Sequence, residues 1–271
     1  MPELPEVEIT RRGIEPLLVG KTVSRVVVRV AKLRWPVPAE LATVLPGQTI
    51  QAVERRGKYL LLRCPAGHLV IHLGMSGHLQ VLAAAPPAGK HDHLDIVFAN
   101  GSSLRFTDPR RFGAVLWTVA DPLQHPLLAG IGPEPLARSF VGVTLFQRSR
   151  GRSVTIKQFI MDSRIVAGVG NIYANEALFR AGIRPDRAAG SVSLAKYRQL
   201  AVAIKKVLLQ AIDQGGTTLR DFRASDGRPG YFQVRLHVYD RGGEPCSRCG
   251  APLRQSRLGQ RSTYFCGHCQ K

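Results

Sequence analysis

No run in this 271-residue chain approaches the roughly 18 to 20 consecutive apolar residues that a membrane-spanning helix needs. The start, MPELPEVEIT, carries acids where a secretory leader has basic residues followed by an apolar core. Together these absences predict an intracellular protein with no membrane partner. Acids are scarce as well: 19 Asp and Glu stand against 38 Lys and Arg, a formal charge of +19. The excess is scattered, not gathered into a tail, so a whole folded surface is basic and attracts polyanions. Nucleic acid is the leading partner at this size, with an acidic protein or membrane surface as the competing reading. Cysteine is rare outside one end. Of five, four form Cys246-Ser-Arg-Cys249 and Cys266-Gly-His-Cys269, and Cys64 stands alone in the apolar run YLLLRC, where a buried structural thiol is expected. Repeats are missing, and the one biased stretch, AAAPPAG at 83–89, reads as a loop between strands.

What remains is ample for folding: 44% hydrophobic residues can fill one large or two ordinary cores. Residues 6–19 have helical spacing, with Val7, Ile14, Leu17 and Leu18 on one side, Pro5 in the first turn and Gly20 as the stop. From Thr22 to about Val119 the chain becomes short β-rich runs: VSRVVVRV, YLLLRC, HLVIHL, HLQVL, LDIVFA, SLRFTD and AVLWTV. Ala66–Gly67 and Asn100–Gly101 are turn signals, the second being the strongest hairpin cue. Residues 1–130 are therefore expected to form an antiparallel β-sandwich carrying an N-terminal helix. GIGPEPL marks a boundary, with 131–136 as linker. In 137–236, TIKQFIMDS and NIYANEALFRAGI read as short helices joined by RIVAGVG, and a longer helix runs from its cap Ser193 to about Asp213. Residues 217–232 lack periodicity and are expected to be a mobile loop. With a metal-bound hairpin at 237–271, the fold class is α+β in two domains plus a finger.

Paired Cys-x-x-Cys units in a reducing compartment argue for metal, not disulfides. Each supplies two ligands from one tight turn, so Cys246, Cys249, Cys266 and Cys269 predict one tetrahedral Zn²⁺. Filling every position with protein ligands leaves no place for water, which makes the zinc structural. The hairpin between the pairs, RQSRLGQRSTYF, is rich in arginine and suits phosphates; His268 is expected to be exposed. In RIVAGVGN, Gly168 and Gly170 permit close backbone approach and Asn171 is a good N-cap, so the helix start is either a phosphate site or a plain turn. In TDPRRFG, Arg110 and Phe112 follow a strand and a proline turn. Two readings stand equally: Phe112 as a wedge between bases with Arg110 bonding to an orphaned base, or Phe112 tucked into the core. Met75 in HLGMSG is likewise core filler or probe. HDHLD tempts a metal reading, since alternation puts His91, His93 and Asp95 on one face, but hydrogen bonding within the sheet is preferred. His91 is counted among the DNA contacts.

Removal of the initiator methionine before the small second residue would make Pro2 the terminus and its ring nitrogen a free secondary amine. An α-amino group has a pKa of about 7.7–8.0, against about 10.4 for lysine, so far more of it is unprotonated at neutral pH. A helix starting near Pro5 lowers that value and Glu3 raises it; the sequence leaves the balance open. Such an amine forms a Schiff base with an aldehyde-like carbon, and a secondary amine yields a permanently charged iminium.

Taken together, MPELPEVE, GKYLLL, HLGMSG, TDPRRFG, GVGN and the terminal cysteine pairs resemble the bacterial formamidopyrimidine-DNA glycosylase family, in order and from end to end. The resemblance implies a bifunctional glycosylase and lyase that removes oxidised purines from double-stranded DNA, in a monomer of the bacterial cytoplasm and nucleoid. Pro2 would be the nucleophile, Glu3 the proton donor and Glu6 its support. Lys58, His72, Asn171 and Arg261 would grip phosphates around a kink, Lys58 and Arg261 being counted with the catalytic group. Met75, Arg110 and Phe112 would fill the gap left by the flipped nucleotide, Lys157 would lie near the lesion, and 217–232 would close over the base. The helical part would be a helix-two-turn-helix. Gln158 departs from the family, where proline is common. Two rival readings are an oxidised-pyrimidine enzyme of the endonuclease VIII type, disfavoured by Arg110–Phe112, and a non-catalytic zinc protein that binds DNA.

Overall fold

Pro5, with its fixed φ and no N–H to lose, stands in the first turn of α1 (Leu4–Leu18), for which Glu3 is the N-cap. The computed structural model describes residues 2–84, 86–215 and 236–271, so the loop expected at 217–232 lies outside the described residues. Leu4, Val7, Ile14 and Leu18 of α1 are fully buried, each worth about 1.5–3 kcal/mol over exposure. Glu8, on the same helix, accepts hydrogen bonds from Arg11, Arg12 and Arg55. Burial pushes its carboxyl up, but the bonds from Arg11, Arg12 and Arg55 outweigh that and hold it below the usual range. Arg55 belongs to β2 (Ala52–Arg56), so this acid pins the helix to a sheet.

The described residues form two compact units, one holding 2–129 and the other 130–213 with 236–271. In the first unit the strands are β1 (Val23–Val28), β2, β3 (Tyr59–Cys64), β4 (Gly67–His72), β5 (His78–Leu82), β6 (Asp92–Phe98), β7 (Ser103–Thr107) and β8 (Ala114–Thr118), with a one-turn helix α2 (Leu41–Val44). They make two antiparallel four-stranded sheets, ordered β1-β6-β7-β5 and β2-β3-β4-β8. One core cluster draws Leu60, Leu62, Leu69 and Ile71 from the second sheet and Leu79, Leu94, Ile96 and Phe106 from the first, as a sandwich requires. Both expected turns are hairpins: Cys64 pairs Gly67 across Pro65–Ala66, and Asn100 Oδ1 accepts the N–H of Ser102 beyond Gly101. Cys64 is buried, as expected.

The alternation expected for HDHLD fails at a bulge. The β6–β7 register shifts between Asp92 and Leu94, which turns Asp92 and Asp95 toward the same partner, Arg105. Arg29 adds a bond to Asp95 at 2.6 Å, and His93 Nε2 meets the Asp108 carbonyl at 2.8 Å. His91 is exposed. The motif is thus hydrogen-bonded within the sheet.

The second unit contains α3 (Gly142–Ser149), α4 (Ile156–Met161), α5 (Asn171–Ala181), α6 (Leu194–Asp213) and the hairpin β9 (Arg254–Leu258) with β10 (Arg261–Phe265). On α6 the apolar stripe Tyr197, Leu200, Ile204, Leu208, Ala211 and Ile212 is buried, and Ser193 caps it through the N–H of Lys196. Among the described residues no helix is long and apolar enough to cross a membrane.

Candidate active site and nucleic-acid interface

In the first unit, Pro2 is buried at the positive end of α1. Glu3 and Glu6, 1% and 0% exposed, form a capping box: the Glu3 side chain accepts the Glu6 N–H, and Glu6 Oε2 accepts the Glu3 N–H at 2.9 Å. The clasp fixes a carboxylate one residue from the Pro2 nitrogen. That arrangement can hold and move a proton beside an amine nucleophile.

Lys58 lies in the turn between β2 and β3, and His72 ends β4 directly opposite Tyr59, their rings 4.8 Å apart. His72 Nδ1 accepts the Gly74 N–H at 3.0 Å, which leaves Nε2 to carry the proton and donate. Burial, together with the charges of Lys58 and Arg34, pulls this imidazole down to about 4. His72 is therefore a neutral donor beside two cations, suited to a phosphate oxygen. Arg34, whose guanidinium stacks on Trp35, is a member of this basic group that the sequence did not single out.

In TDPRRFG the aromatic ring is not tucked into the core. Phe112 is 45% exposed and the Arg110 guanidinium lies 5.0 Å from its ring centre. Arg111 between them has φ 55°, a left-handed conformation that turns the tip. Met75 is half-buried. Its neighbour Gly74 has φ +66°, and a Cβ there would collide with Phe112 and Gly113 backbone, so the two loops touch main chain to main chain. Beside them is a cavity of about 640 Å³ whose lining includes Ser76, His78, His91, Thr107 and Arg110.

In the second unit the N-cap of α5 is Gly170, not Asn171, which is the first helical residue. The asparagine side chain reaches the hairpin, its Nδ2 donating to the Ser262 carbonyl on β10 at 3.1 Å. Lys157, fully buried, donates to the same carbonyl at 2.8 Å and to Thr263 Oγ1 at 2.7 Å. Asn175 Oδ1 accepts the Tyr264 N–H, and Glu176 accepts the N–H groups of His237, Val238 and Tyr239. Helices α4 and α5 thus fix the hairpin strand that carries exposed Arg261. Asn175 and Glu176 were hidden in the sequence because a polar residue in a helix carries no local sign of a distant partner. Gln158 packs its amide against Gly259 at the hairpin tip, where φ values of +53° and +60° at Gly259 and Gln260 make a tight turn.

The four sulfurs Cys246, Cys249, Cys266 and Cys269 lie within 4.8 Å of one another. Two of the separations are 3.5 and 3.9 Å, too long for disulfides and close to the roughly 3.8 Å edge of a tetrahedron with Zn–S bonds of about 2.3 Å. The N–H groups of Arg248 and Cys269 point at Cys246 and Cys266 sulfurs, as second partners of thiolate ligands. The donor set fits one structural zinc, and His268 is exposed.

Comparison with known proteins follows the same division. Residues 1–115 match the formamidopyrimidine-DNA glycosylase N-terminal domain, 131–223 the formamidopyrimidine-DNA glycosylase H2TH domain, and 243–271 the zinc finger found in FPG and IleRS. The formamidopyrimidine-DNA glycosylases of Stutzerimonas stutzeri and Pseudomonas entomophila are each 60% identical over 271 residues, covering all of both chains. Among solved structures, the MutM (Fpg) protein from Thermus thermophilus is 40% identical with TM-score 0.88, over 99% of this chain and 98% of that one. The Lactococcus lactis Fpg (MutM), in a complex with DNA containing Fapy-dG, is 33% identical with TM-score 0.89, over 99% of this chain and all of that one. Three matches in chain order and full-length identity make this chain a member of the formamidopyrimidine-DNA glycosylase family.

Proposed function

We propose that this chain excises oxidised purines from double-stranded DNA and then cleaves the strand, with Pro2 as nucleophile. The observation that carries the reading is the start of α1, where a buried Pro2 adjoins the Glu3–Glu6 clasp. With the initiator methionine removed, the Pro2 nitrogen attacks C1′ of the damaged nucleotide and the bond from C1′ to the base breaks. The nitrogen gives up its proton, and Glu3 delivers one to O4′ as the C1′–O4′ bond breaks and the sugar opens to an iminium, or first to the leaving base with the ring opening in a second step. Glu6 holds Glu3 in place. The resulting iminium withdraws electrons from C2′; loss of a C2′ proton expels the 3′ phosphate, and a second elimination expels the 5′ phosphate. Lys58, His72, Asn171 and Arg261 grip the phosphates, and Met75, Arg110 and Phe112 occupy the space the nucleotide leaves, a necessity because the base must be extruded for reaction. Lys157 acts from the hairpin side, and His91 contacts DNA near Arg110. Zinc, when bound, supplies only rigidity to the hairpin bearing Arg261. The protein works as a monomer, in the bacterial cytoplasm with the nucleoid.

Borohydride trapping on a duplex bearing 8-oxoguanine opposite cytosine, with mass spectrometry of the adduct, tests the reading. A covalent complex mapped to Pro2 is expected. Intact binding without an adduct, in protein with a verified free Pro2, would overturn it.

A further inference from the structure

Asp108 follows β7 at the root of the Arg110–Phe112 loop and is completely buried. Its Oδ1 accepts the Ser76 hydroxyl at 2.7 Å and the Arg110 N–H at 3.3 Å, and its Oδ2 accepts the Gly113 N–H at 2.8 Å. The main chain is used as well. The Asp108 N–H donates to the His91 carbonyl, its own carbonyl accepts the Arg111 N–H at 3.2 Å, and Ser76 Oγ accepts the Arg110 N–H at 3.1 Å. A buried carboxylate persists only where donors replace its water. Here those donors come from two loops: Ser76 from the loop of Met75, and Arg110 and Gly113 from the loop of Phe112.

We infer that Asp108 is a positioning residue that joins the Met75 and Arg110–Phe112 loops into one insertion unit, so that all three side chains enter duplex DNA together. The inference rests on the proposal that these three fill the gap. Asp108 bridges the two loops whose tips carry the proposed wedge, and at Gly74 those loops pack main chain against main chain, so closely that a Cβ would collide with Phe112 and Gly113. Misplacement of a wedge by about 1 Å costs up to about 100-fold in rate, since extrusion of the nucleotide depends on it. A single strand has no opposite base and no gap, so it makes no demand on the wedge.

The test compares full-length Asp108→Asn, Ser76→Ala and Phe112→Ala, each with verified free Pro2. Single-turnover cleavage is followed on 8-oxoguanine duplexes opposite cytosine or adenine, and on an abasic site in a single strand. Asparagine keeps the shape but sets an NH₂ against one of the donors. The expected result is a loss of about 10- to 100-fold on the duplex, with a reduced preference for cytosine, and single-strand cleavage within about twofold of the parent. Ser76→Ala shows the same pattern at smaller size, and Asp108→Asn combined with Phe112→Ala loses less than the product of the two. Equal losses on both kinds of strand, an unchanged duplex rate, or fully multiplicative losses overturn the inference. Absence of cleavage by the parent on every strand defeats the proposed function instead.

Discussion

At the scale of single residues, the neutral His72 makes a sharp pH prediction. Its folded pKa of about 4 lies below the usual value of about 6.5, because burial and then Lys58 and Arg34 disfavour the charged ring. The unfolded chain therefore binds the proton more readily between those values. The contribution of His72 to stability is complete above pH about 6.5 and falls as pH drops toward 4. Carbon-13 NMR of the labelled imidazole should show a midpoint near 4 in the DNA-free protein, moving upward in Arg34→Met; a midpoint near 6.5 would contradict the neutral donor. Phe112 makes the opposite kind of case. Its ring is 45% exposed, so Phe112→Ala should change unfolding free energy by less than about 0.5 kcal/mol while slowing duplex excision strongly. Urea melts beside single-turnover rates separate the two effects. The sequence could not decide this residue, since an aromatic after a proline turn serves a core or a surface equally, and only the three-dimensional path of the chain says which. Asp108 was missed for a related reason: its partners are 32 residues upstream as well as next door.

Among elements, the first sheet depends on a charged cluster. Asp95 is 2% exposed and tied to Arg105 and Arg29; burial raises its carboxyl, but those bonds outweigh burial and lower it overall. The stability it contributes is present above the ordinary carboxylate value of about 3.9 and is lost as pH falls through the depressed folded one. Arg105→Met removes a charged partner from both acids and leaves Asp95 only Arg29, at a cost of about 1.5–3 kcal/mol measurable by urea unfolding. Unfolding within about 1 kcal/mol of the parent would show the cluster to be dispensable. Most strands were legible because alternating β-branched and aromatic runs bury one face. β2 was not, because AVERR is an edge strand whose charges mask its pairing with β3. α3 escaped for want of a signal, since Val141 occupies its N-cap and no side chain caps it. The bulge in β6 is invisible to any alternation rule, and it is what brings Asp92 and Asp95 to one arginine.

For the whole molecule, a family member that excises oxidised purines must hold a highly charged polymer, and a formal +19 supplies the attraction. Each phosphate contact adds about 0.9 to the slope of log affinity against log salt, so Arg261→Gln should flatten that slope by about 0.9 in binding titrations. Chelation should release one zinc per chain and abolish hydrogen-exchange protection over 254–265, while β3 and β4 keep theirs. Protection that survives metal loss would show that the hairpin stands on Lys157, Asn171 and Asn175 alone. The zinc sulfurs were legible from spacing alone; the helical contacts that seat the hairpin were not, because they join side chains roughly a hundred residues apart. Cys64 gives the molecule one more property. It is 3% exposed in the apolar core, and burial pushes its thiol up to about 11. The reactive thiolate is almost absent at neutral pH, and burial limits the approach of peroxide. A repair protein needed when oxidants are plentiful thus carries its one non-ligand thiol protonated and buried, in a form that those oxidants attack slowly.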